Sequence, residues 1–230
     1  MLSSSVYRLP KLLHGQYMLT SVLSETADTV VYTATQKDLR REVVVESLRP
    51  ECMAVPFKVQ HFLESARAQA KMGGKFIATV LELLYAEDTW HLVRERIQGQ
   101  PLDELLASGA KGSALTLCEL MLTLTSICIK HDMLGIATKP FALQNAHFMG
   151  LGFRFNNLAC AGSRDPRSSC RDLQSTARAL MNEVDAASPR VDDFLVILQN
   201  ILRTSNWLPL TPLDIHDDFV RLQLLLMRSE

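Results

Sequence analysis

The feature that most constrains this chain is a change of rhythm near Gly99. Before it, short runs rich in Val, Thr and Tyr alternate with polar turns, the signature of β-strands. Tyr17–Leu23, Thr29–Thr35 and Glu42–Leu48 read as three strands of a meander, joined by Ser24–Asp28 and Gln36–Arg40. Phe57–Met72 carries the helical period. Ile77–Tyr85 and His91–Ile97 then read as two more strands around the turn Ala86-Glu87-Asp88.

After Gly99 the period becomes helical. Leu102–Ala107 reads as a short helix and Leu115–His131 as a long one, apolar nearly all round and so central to its unit. Phe148–Leu158 holds two short strand candidates around Gly150 and Gly152. Arg171–Val184, Val191–Leu202 and Leu213–Met227 read as amphipathic helices, with Pro212 favourably placed at the start of the last. A five-stranded sheet with one helix, followed by a mainly helical half, predicts an α+β fold in two parts. The boundary is placed between residues 1–97 and 98–230.

Composition narrows the function classes. Of 230 residues, 47% are hydrophobic, enough for a buried core. The 24 basic and 25 acidic residues balance, which argues against nucleic-acid binding and against a polybasic membrane patch. Cys52, Cys118, Cys128, Cys160 and Cys170 form no CxxC pair, so they read as reduced thiols of a cytoplasmic protein rather than zinc ligands. The start of the chain lacks the apolar core of a signal peptide. The most apolar stretch, Leu115–Ile129, carries Glu119 and fits a buried helix better than a membrane span, so no membrane insertion is expected. The six histidines are scattered and suggest no ligand set.

The order of elements and the local motifs resemble the protein kinases, most of all the bacterial serine/threonine kinases. The resemblance runs from about Tyr17 to Leu226 and rests on pattern and spacing. The glycine-rich phosphate loop of the family, L-G-x-G-x-x-G-x-V-Y, corresponds to Leu23–Tyr32. Leu23, Val31 and Tyr32 fit, but Ser24, Thr26 and Thr29 replace the three glycines. Glycine lets the backbone approach phosphate oxygens, and side chains there obstruct it. Glu25 and Asp28 add negative charge.

The strand expected to carry the phosphate-binding lysine, V-A-I-K, reads Val43-Val44-Val45-Glu46. The cation has become an anion, which at about 4 Å turns an attraction of order 1–4 kcal/mol into a repulsion of similar size. The lysine's partner glutamate falls at Ser65, while Glu64 faces elsewhere on the helix. His91–Gly99 resembles the hinge pattern, with Arg94 as gatekeeper. Glu46 and Arg94 then sit on adjacent strands facing the resemblance-implied nucleotide pocket, where they could form a new ion pair or reach solvent independently.

The catalytic loop, G-I-x-H-R-D-L-K-P-x-N, corresponds to Gly135–Asn145 with its spacing intact. Thr138 replaces His, Lys139 replaces Arg, Pro140 replaces the catalytic Asp and Ala142 the loop lysine, while Asn145 matches. Proline cannot accept a hydroxyl proton. The metal-binding D-F-G becomes Asn157-Leu158-Ala159, and a neutral amide oxygen is a weak substitute for the carboxylate magnesium prefers. Asp172 resembles the structural aspartate opening the family's large helix. Only Leu158–Arg171 precede it, too little for an activation loop with its A-P-E anchor.

The resemblance therefore implies a bilobal protein kinase-like fold, with a five-stranded antiparallel first lobe plus one helix and a shortened helical second lobe. It implies a catalytically inactive pseudokinase with no cofactor. Such a module would serve as a protein-interaction scaffold or regulatory element for a protein partner. The alternative is a metal-independent nucleotide or ligand sensor.

Overall fold

In the computed structural model, the described residues are 8–138, 141–150, 152–156, 158–161, 168–203 and 211–228. They form two compact units. One comprises the chain through Gly74 together with Ala78–Arg96; the other comprises Lys75–Ile77 and the chain from Ile97 onward.

The first unit is a curled antiparallel sheet of six strands: β1 (Lys11–Leu13), β2 (Tyr17–Glu25), β3 (Thr29–Gln36), β4 (Arg41–Leu48), β5 (Val80–Ala86) and β6 (Thr89–Glu95), in the order β1-β2-β3-β4-β6-β5. The sequence pattern predicts five. The extra strand has only three residues after a proline, too short for an alternation to show, and Gly15 at φ 71 turns it back onto β2. Strand β5 begins at Val80 rather than Ile77, because Ile77 pairs instead with Phe155 in the second unit.

Helix α1 (Pro56–Met72) packs on one face of this sheet. The two-residue period of β4 sorts its side chains between two cores. Val43 and Val45 point into the curl, with Leu19, Tyr32 and Val93. Leu48 points to the other face, with Leu92, Cys52 and the α1 residues Phe62 and Ala66. Glu46 has the same parity as Leu48, and Arg94 the same parity as Leu92. Both charged side chains therefore stand on the face that carries α1.

The second unit holds the remaining helices among the described residues: α2 (Leu102–Ala107), α3 (Ala114–Leu134), α4 (Ser168–Leu180), α5 (Val191–Arg203) and α6 (Pro212–Leu226). Helix α3 is long and apolar enough to cross a membrane by length and composition, yet 61% of that window is buried inside the protein. It is the central helix the sequence implies. Ser113 caps its start by accepting the Thr116 N–H, and Gly135 ends it at φ 63 in the left-handed cap favoured by glycine. Phe194 of α5 and Phe219 of α6, both fully buried, pack with ring centroids 6.0 Å apart. A reciprocal capping box between Thr211 and Asp214 opens α6, with Pro212 in its first turn.

Short strands complete the unit. The two candidates around Gly150 and Gly152 form a hairpin, β9 (Ala146–Phe148) with β10 (Phe153–Phe155). Strand β9 also pairs with β7 (Gln100–Pro101), and β8 (Ala137–Thr138) pairs with β11 (Ala159–Cys160). Helix α4 ends at Leu180 rather than Val184, because Val184 bridges to Gly112.

Candidate functional site

The segment corresponding to the phosphate loop is a tight, self-satisfied turn at the tip of the β2–β3 hairpin. Thr26 N–H donates to the Thr29 carbonyl at 2.8 Å. Thr26 Oγ1 accepts from the Thr29 and Asp28 amides at 2.9 and 3.2 Å. The hydroxyls of Thr26 and Thr29 lie 3.1 Å apart. Three of the amides that a phosphate-cradling loop would present are thus already engaged within the turn. Ser24 and Thr26 are exposed, and Thr29 is half-buried.

Two cations staple this turn to the body of the unit. Arg49 follows β4; its Nε donates to the Thr26 carbonyl at 3.0 Å and its Nη2 to Glu25 at 2.6 Å. Lys58 Nζ, from the first turn of α1, donates to Asp28 at 2.7 Å. That hydrogen bond holds the Asp28 carboxyl below the usual carboxylate range. Burial pushes the neighbouring Cys52 thiol up, away from nucleophilic character. The sequence shows Glu25 and Asp28 as negative charge on the loop but gives no sign of Arg49 and Lys58 as their partners. The pairings span 24 and 30 residues, beyond any local pattern.

Behind the turn, Glu46 and Arg94 meet. Arg94 Nη2 donates to Glu46 Oε2 at 3.0 Å, with the two side chains 16% and 9% exposed for Glu46 and Arg94 respectively. The strand register makes the pair a diagonal one, since Glu46 lies opposite Leu92 and Arg94 opposite Val44. Of the two arrangements the sequence allows, independent solvent exposure or a mutual ion pair, the structure has the pair. Ser65 is buried on α1, between the core residues Phe62 and Ala66. Glu64 is exposed and accepts from Gln60 at 2.8 Å along the helix.

The remaining positions belong to the second unit. Thr138 lies in β8 opposite Ala159. Lys139, Pro140 and Asn157 fall outside the described residues. The segments flanking them are anchored. Phe141 packs edge-on against Phe155 at 5.6 Å, and Leu158 is buried. Asn145 closes a 3-10 turn, and its carbonyl accepts the Asn156 N–H at 2.9 Å. The structure therefore ties Asn145 to the residue preceding Asn157. Among the described residues, no three His, Cys, Asp or Glu side chains gather in a way that could hold a metal ion.

A polar relay in the same unit is not legible in the sequence. His147 Nδ1–H donates to the Gly99 carbonyl at 3.2 Å, leaving Nε2 to accept from the Asn156 amide at 2.8 Å. Gly99 has no room for a side chain. A Cβ there would stand 2.6 Å from the Phe148 carbonyl and 2.7 Å from Met149 Sδ. The glycine that ends the hinge-like segment is thus required by the close approach of β9.

No family model matches the chain, and no curated protein matches it. Solved structures, by contrast, do match. The Mycobacterium tuberculosis PknI kinase domain is similar over 94% of this chain and 99% of its own, with a TM-score of 0.68 and 12% sequence identity. A cysteine-to-alanine mutant of that domain is similar over 97% of this chain and 100% of its own, with a TM-score of 0.66 and 13% identity. At such identity the likeness concerns architecture. Together with the curled antiparallel sheet, its packed helix and the helical second unit, it shows that this chain has a protein kinase-like fold.

Proposed function

We propose that this chain is a catalytically inactive kinase-like module, a pseudokinase that works by binding a protein partner. The observation that carries the reading is the Glu46–Arg94 pair. In the kinase pattern, the Glu46 position holds a lysine that attracts phosphate. Here it holds a carboxylate already neutralised by a guanidinium from the adjacent strand. Phosphoryl transfer depends almost wholly on positioning and electrostatic stabilisation. A site that has exchanged its cation for a satisfied anion lacks the first requirement.

The closed turn at Thr26 supports the same reading, as does proline at position 140, which offers no group to accept a proton. Phe57, 74% exposed at the start of α1, is a large apolar side chain of the kind that anchors protein contacts. The test is a thermal-shift titration of the full chain with ATP, with and without magnesium. The pseudokinase scaffold shows no stabilisation in either arm. Stabilisation without magnesium would favour a metal-independent sensor, and stabilisation only with magnesium would favour a nucleotide-using enzyme.

A further inference from the structure

The structure holds a pocket of about 480 Å³ inside the second unit, and none of the residues aligned with the kinase motifs lines it. One wall is a stripe of α3: Glu119, Leu122, Thr123 and Ser126, spaced i, i+3, i+4 and i+7 and so on one side of the helix. That stripe is the anomaly. Helix α3 is apolar for most of its length, and Glu119 is the only charged residue in its first four turns. Glu119 is half-buried, and among the described residues it joins no ion pair and accepts no hydrogen bond.

Other residues of the lining carry the opposite charge. Arg154 of β10 is one, held in place by donating from Nη2 to the Ile77 carbonyl at 3.3 Å. Lys75 stands over the Phe76 ring, 5.3 Å from its centroid, and is paired with no carboxylate among the described residues. Phe76 and Phe153 supply the apolar surface between. A volume of this size, apolar walls and a few convergent polar groups are the ordinary make-up of a small-molecule site.

We infer that this pocket binds a small zwitterion with an aromatic side chain, the chemistry of a free aromatic amino acid. Its carboxylate meets Arg154 and Lys75, its ammonium meets Glu119, and its ring lies on Phe153 and Phe76. A simple anion would be opposed by Glu119, and a simple cation would be opposed by Arg154 and Lys75. A zwitterion matches all three charges.

The probe is L-phenylalanine, titrated into the full chain by isothermal calorimetry beside hydrocinnamate, which lacks the ammonium, and phenethylamine, which lacks the carboxylate. Saturable binding is expected at about 1 mM or tighter, with each truncated probe about tenfold weaker. E119Q should weaken phenylalanine about tenfold and tighten hydrocinnamate, which no longer meets the opposing charge, while K75Q and R154Q should weaken both. Because R154Q also loses the bond to Ile77, K75Q at an exposed position decides if that variant misfolds. No saturable binding of phenylalanine, equal binding of the three probes, or an E119Q variant indifferent to phenylalanine would each overturn the assignment.

Discussion

Arg94 Nη2 lies 3.0 Å from Glu46 Oε2, and both side chains are largely shielded from water. A pair so placed is costly to break by halves, because the survivor keeps its desolvation without its partner. R94A should therefore destabilise the chain by about 3 kcal/mol in urea unfolding. E46K, which restores the family's residue type, should destabilise it as well, by setting two cations together. The charge-swapped double variant E46R/R94E should recover part of the loss. Equal stability of all these variants would mean that the pair contributes nothing.

At the tip of the β2–β3 hairpin one hydroxyl serves two backbone amides. T26A deletes the acceptor for the Asp28 and Thr29 amides. A loss of about 1 kcal/mol is expected, with the Asp28 and Thr29 amides exchanging faster in hydrogen-exchange NMR. T26V, which keeps the β-branch and removes the acceptor, should behave like T26A. Unchanged protection at both amides would show that the hydroxyl does not hold the turn.

Acid should act in opposite directions on the two units. His91 is fully buried; its Nε2–H donates to the Ala86 carbonyl at 3.0 Å, and its Nδ1 accepts from Ser47 at 2.7 Å. Burial holds its pKa below the usual histidine value of 6.5. A depressed value means that the unfolded chain binds the proton first. Its contribution is present above pH 6.5 and is lost as pH falls below that.

Asp172 has the opposite sign. Burial raises its carboxyl from 3.8 to about 6, against the opposing charge of Arg171. Its contribution is complete below pH 3.8 and is lost as pH rises through about 6. Between those limits H91Q should flatten the acid-side fall in stability measured by urea unfolding, while D172N should steepen it. Parallel pH profiles for wild type and both variants would contradict the assignment.

Gly99 is a packing requirement rather than a hinge of convenience. G99A places a methyl group within 2.6 Å of the Phe148 carbonyl. Destabilisation of about 1–3 kcal/mol is expected from the forced shift of β9. A thermally unaltered G99A would show that β9 moves freely.

Much of this fold is legible in the sequence because its elements carry strong periods. Strands β2, β3 and β4 alternate clearly, the bounds of α2 match to the residue, and the apolar girth of α3 marks it as central. Strand β1 is invisible because three residues cannot display an alternation. The two-residue strands β7, β8 and β11 exist only through their partners. At the candidate site, residue identities and parity suggest the Glu46–Arg94 encounter. They cannot decide between a pair and two solvated charges, since a diagonal contact depends on the register of two strands distant in sequence. The staples from Arg49 and Lys58 and the Glu119 pocket arise from tertiary packing alone.

The proposed lack of phosphoryl transfer by this kinase-like fold can be tested at its root. The direct measurement is incubation of the full chain with radiolabelled ATP, in magnesium and separately in manganese, with itself and a generic protein acceptor as substrates. A catalytically inactive module gives no incorporation above that of the heat-denatured chain. Time-dependent label on either acceptor that E46Q or R94Q abolishes would contradict the proposal.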